Sequence, residues 1–76
     1  MANINYAEIL FEKYGTALLS TKQTSLVIGR SVLSLEADRR NGTGLEFKRV
    51  GGKPNSPVKY PVHVIAQYIE ATEKTL

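Results

Sequence analysis

Apolar residues recur at three- and four-residue spacing in three segments of the chain, alternate with polar ones in another, and are separated by turn-forming residues. Asn5 followed by Glu8 makes a capping-box-like pair, and Gly15 stands where a helix ends. Between them Tyr6, Ile9, Leu10 and Tyr14 form a stripe at helical spacing, so the pattern predicts a helix over 6–14 with that stripe buried. Thr16-Ala17-Leu18-Leu19 is too short for a helix and reads as a short strand or extended lead-in. Ser20 or Thr21 caps a second, two-turn helix over 21–28, closed by Gly29. Ser31 caps a third over 32–40, on which Val32, Leu35 and Arg39 share a face and Leu33 lies beside Ala37 and Arg40. Asn41-Gly42-Thr43-Gly44 stops it. From Leu45 to Val50 the chain sets Leu45, Phe47 and Arg49 against Glu46, Lys48 and Val50. The turn-rich Gly51–Pro57 and the extended Val58-Lys59-Tyr60 complete a hairpin over 45–60 with a long tip. Pro61 opens a last helix over 62–72 with Val64, Ile65, Tyr68 and Ile69 as its stripe, and Thr72–Leu76 is expected to fray.

Composition narrows the class. At 76 residues the chain is a single domain over 1–76, with 42% apolar and 22% charged residues, a globular balance around a small core. It holds no Cys, one His and, in Asp38, its single Asp, which removes disulfides, thiol nucleophiles, most metal clusters and any Ser-His-Asp triad. A binding domain is expected, with no enzymatic activity, no cofactor and no metal. The longest apolar runs, Ile9–Phe11 and Leu26–Ile28, are too short to span a membrane, and the opening Met1-Ala2-Asn3-Ile4-Asn5 does not read as a signal peptide. A cytoplasmic location follows as the expectation.

Charge adds a direction. Residues 20–60 hold Lys22, Arg30, Arg39, Arg40, Lys48, Arg49, Lys53 and Lys59 against Glu36, Asp38 and Glu46, while both ends of the chain are slightly acidic. A basic centre between acidic ends suits either a solvated surface or a polyanionic partner. Two short helices joined by a tight glycine turn, then a basic hairpin and another helix, describe a mainly α winged helix-turn-helix with an extra N-terminal helix. Such a fold presents the start of its second helix to the major groove and a basic hairpin to the backbone.

Particular motifs strengthen this reading. Leu18-Leu19-Ser20-Thr21-Lys22-Gln23, then Ile28-Gly29-Arg30-Ser31 and Leu35, resemble the opening of the AlpA/excisionase-like members of the MerR-type winged-helix superfamily. These are small DNA-binding proteins of phages and mobile elements. Phe47-Lys48-Arg49-Val50-Gly51 is similar to the family's first wing strand, Val58-Lys59-Tyr60 to its second, and Val64–Ile69 to its closing helix. The resemblance covers about residues 18–70. It implies sequence-specific binding of double-stranded DNA by a transcription regulator or by a recombination directionality factor that steers an integrase or recombinase. It also implies a nucleoid-associated protein. One DNA-reading surface on so small a chain leads us to expect self-association on DNA.

Carried over by position, Ser31, Val32, Leu33, Ser34, Glu36 and Ala37 fall on the recognition helix, and Lys53, Asn55, Ser56 and Lys59 on the wing. Family members commonly carry Arg or Lys where Val32, Leu33 and Glu36 stand, and an aromatic in place of Asp38. Glu36 and Asp38 repel phosphate, and Arg30, Arg39 and Arg40 compensate from the ends of the helix; Glu36 also suits a cytosine amino group. The expected DNA-binding set is therefore Lys22, Arg30, Ser31, Val32, Ser34, Glu36, Arg39, Arg40, Lys53, Asn55, Ser56 and Lys59. For Arg39 and Arg40 the alternative is a solvated helix end, and for Lys53, Asn55 and Ser56 a polar hairpin tip. The competing function is a phage-encoded protein-interaction module, an inhibitor or antirepressor, which an exposed Leu33 would favour.

Overall fold

In the computed structural model, which describes residues 4–74, the caps read from the sequence are the ones that bound the helices. Helix α1 runs Tyr6–Tyr14, with the Asn5 side chain accepting the Glu8 N–H at 3.0 Å and Gly15 closing it. It buries Leu10 and half-buries Tyr6, Ala7 and Tyr14. Ile9, placed in the buried stripe by its spacing, is instead 50% exposed. The true stripe is Ala7, Leu10 and Tyr14, and Ile9 lies about 100° around the helix from Leu10.

Strand β1, Leu18–Ser20, precedes α2, Thr21–Ile28, whose N-terminus is a full capping box between Ser20 and Gln23. Helix α3 runs Val32–Asn41, one residue longer than its pattern suggested. Strands β2, Lys48–Arg49, and β3, Val58–Pro61, lead into α4, Val62–Lys74. The helix thus continues through Thr72, where fraying was expected; Thr75 and Leu76 lie outside the described residues. No helix among the described residues is long and apolar enough to cross a membrane.

The architecture is a small α-rich domain with four helices and a three-stranded antiparallel sheet in the order β1-β3-β2. Adding β1 to the hairpin places Leu19 opposite Tyr60, both almost wholly buried. With Leu10, Val62 and Ile65 they form the core, into which α1 and α4 pack. The hairpin ladder is shorter than its sequence pattern: only Lys48 and Arg49 pair, with Lys59 and Val58. Leu45 and Phe47 pack against the core without joining the ladder.

Candidate nucleic-acid interface

Glycine and serine build the corner between α2 and α3. Gly29 caps α2 at φ 73°, a left-handed conformation that other residues adopt at a cost. Thr24 is fully buried and donates its hydroxyl to the Ser20 carbonyl at 2.8 Å, while the Ser25 hydroxyl donates to the Arg30 carbonyl. The Ser31 side chain caps α3 by accepting the Ser34 N–H at 3.1 Å. Arg30 then folds back along α3. Its guanidinium lies 2.8 Å from the Asp38 carboxylate and donates to the Ser34 hydroxyl. Arg30, Ser31 and Ser34 are thus engaged within the corner. Val32 is half-buried, and Leu35 is the buried anchor of α3. Leu33 is 76% exposed and Arg40 is also exposed, with Glu36 and Ala37 half-buried.

At the other end of α3, Arg39 reaches the sheet. It donates to the Tyr60 hydroxyl at 2.6 Å and, at 3.4 Å, to that of Thr21. Its guanidinium carbon is 5.7 Å from the centroid of the Phe47 ring and 5.9 Å from that of Tyr60, within cation–π range. The two rings are 6.4 Å apart and tilted. Arg49 meets Phe47 at 5.8 Å and donates to the Ser56 carbonyl at 3.2 Å. An open cleft of about 410 Å³ lies between α3 and the hairpin, lined by Glu36, Arg39, Arg40, Phe47 and Arg49. Three guanidinium groups therefore border one groove with a single carboxylate.

The hairpin tip is tied rather than loose. Val50 donates to the Pro57 carbonyl at 3.1 Å, and Gly52 to that of Arg49 at 3.1 Å. Ser56 N–H donates to the Lys53 carbonyl at 3.0 Å, and the Ser56 hydroxyl accepts the Lys53 N–H at 3.1 Å. Lys53-Pro54-Asn55-Ser56 is thus a β-turn with Pro at its second position, and Asn55 has no positive φ, which fits type I. Lys53 and Asn55 are exposed at this turn, whereas the Ser56 hydroxyl is used to close it.

Lys59 is not at the tip, as its closeness in sequence suggested, but in the central strand. It sits between Ser20 on one side and Lys48 on the other. Alternation along β3 turns it to the face away from Tyr60 and the arginine cleft. Lys22 is exposed in the first turn of α2. Among the described residues the one ion pair is Arg30–Asp38, so Lys22, Arg40, Lys48, Lys53 and Lys59 carry charge that no carboxylate within 4.0 Å neutralises.

Of the expected residues, the structure brings Glu36, Arg39 and Arg40 to the cleft and pairs Arg30 with Ser34 and Lys53 with Ser56. Arg49, Phe47 and Lys48 belong to the same surfaces but were not singled out for binding. The alternation of residues 45–50 held the signal, since it puts Phe47 and Arg49 on one face and Lys48 on the other. Comparison with known proteins finds no matching family model, no similar curated protein and no similar solved structure.

Proposed function

We propose that the chain is a winged helix-turn-helix protein that binds double-stranded DNA, with α3 as the recognition helix and the β2–β3 hairpin as the wing. The observation that carries this reading is the cleft between them, where Arg40 and Arg49 flank Phe47 opposite a single carboxylate. Gathering like charges costs free energy in the isolated protein, and a phosphate backbone returns it. Lys53 at the exposed hairpin tip adds to this charge, and Lys48 and Lys59 place more on the opposite face of the hairpin. Leu33, Glu36, Ala37 and Arg40, on the outward side of α3, are placed to meet base edges and the adjoining backbone. The role is binding rather than catalysis, as a small transcription regulator or a recombination directionality factor acting with an integrase or recombinase. It belongs beside the nucleoid, with several copies on adjacent sites.

Salt dependence tests this directly. If about five basic side chains reach phosphates, log K for a duplex falls with log salt at a slope of about −4 to −5. A flat response, or no binding at low salt, favours the second reading, a protein-interaction module. The observation behind that alternative is the exposure of Leu33 at 76% and Leu26 at 72%.

A further inference from the structure

Helix α3 gives no side chain to the core cluster of Leu10, Leu19, Tyr60, Val62 and Ile65, and β2 is two residues long. Helix α3 is pinned by one wholly buried side chain, Leu35, and both residues of β2 are exposed, so apolar burial holds α3 at a single point and leaves its angle to the hairpin open. What joins them is Arg39, which contacts the start of α2 through Thr21, the centre of β3 through Tyr60, and the entry to β2 through Phe47. We propose that Arg39 is a positioning residue that fixes the angle between α3 and the hairpin, so that both can engage one duplex; the second half of this statement rests on the DNA-binding reading above.

The side-chain chemistry is specific to arginine. A planar guanidinium donates in several directions while its faces lie against aromatic rings, and lysine offers a single compact ammonium. Tyr60 is 1% exposed, and Arg39 satisfies its hydroxyl; without that partner the buried group is left with a desolvation cost. The adjacent Arg40 and the facing Arg49 remain to meet phosphate. Arg39 was expected to be a phosphate contact or a solvated helix end, and its bonds give it a different task.

The test compares Arg39→Lys, Arg39→Gln and Tyr60→Phe in the full chain, by amide hydrogen exchange without DNA and by duplex binding across salt. Fixing the angle predicts that amides at 48–50 and 58–59 exchange about tenfold faster in both Arg39 variants, with those of α1 and α4 unchanged. Tyr60→Phe, which alters no charge, accelerates the same amides to a smaller degree. Lysine does not rescue binding, and Arg39→Lys weakens it as much as Arg39→Gln does. Wild-type exchange in Arg39→Lys or in Tyr60→Phe overturns the proposal. So does a lysine that restores binding while Arg39→Gln lowers the salt slope by about 0.9, the signature of a direct phosphate contact. If the wild-type chain binds no duplex, the DNA reading falls on its own, and the exchange comparison still decides whether Arg39 holds the hairpin.

Discussion

Two halves of this small domain are held together by different physics. Where α1 and α4 meet β1 and β3, stability comes from apolar burial: Leu19 and Ile65 are wholly buried, Leu10 and Val62 nearly so. Where α3 meets the hairpin, an arginine does the joining: Arg39 reaches Tyr60, Thr21 and Phe47, while Arg30 ties the preceding corner to Asp38 and Ser34 and Leu35 anchors the helix from beneath. A domain with so small a core concentrates its apolar burial where the outer helices meet the sheet and holds the charged side with polar contacts around one buried anchor of α3, Leu35. Such contacts keep charge near the surface, which a polyanion-binding face requires.

This contrast can be broken at its strong end first. Leu19→Ala or Ile65→Ala should cost about 2–5 kcal/mol, which for a domain of this size amounts to most of its stability. Loss of the cooperative thermal transition in circular dichroism would agree, and a near-wild-type melt would mean that the core lies elsewhere. Gly44→Ala probes the corner of the charged half. Gly44 sits at φ 80°, and an added Cβ would come 2.5 Å from the Asp38 carboxylate oxygen that binds Arg30. A loss of about 1–3 kcal/mol is expected in urea unfolding, and a neutral result would show that the backbone at Gly44 relaxes out of its left-handed conformation and the Arg30–Asp38 pair gives way with it.

A smaller effect sharpens the comparison because its two readouts have opposite signs. Lys48 and Lys59 are directly opposed across β2 and β3, an unfavourable pairing. Lys48→Glu should raise stability by about 0.2–1 kcal/mol while weakening duplex binding. A variant that is more stable and binds duplex as well as wild type would remove this face of the hairpin from the proposed interface.

The sequence disclosed the apolar half and the helix ends well, for physical reasons. Caps such as Asn5, Ser20 and Ser31 and stops such as Gly15 and Gly29 act over three or four residues, so local pattern suffices to place them. The misreading of Ile9 arose because five apolar residues crowd the Tyr6–Phe11 stretch, and the packing of α4 chooses among them. The extent of β2 was illegible too, since Leu45 and Phe47 alternate as strand residues do, and packing against a core does not require backbone pairing. In the candidate interface the basic residues were visible as a charge excess. Their partners were not, because Arg39 meets Tyr60 across 21 positions and nothing local marks that pair.

A duplex titration followed residue by residue in ¹H–¹⁵N spectra at low salt asks whether α3 and the hairpin form the single DNA-binding surface proposed above. Shifts are expected to concentrate at 33–40, 47–50 and 53–56, to reverse as salt is added, and to spare the outer face of α1 with its exposed Ile9 and Phe11. Shifts that centre on α1, or none at any of these residues at protein concentrations of about 0.1 mM, where even non-specific duplex binding is populated, would contradict that proposal.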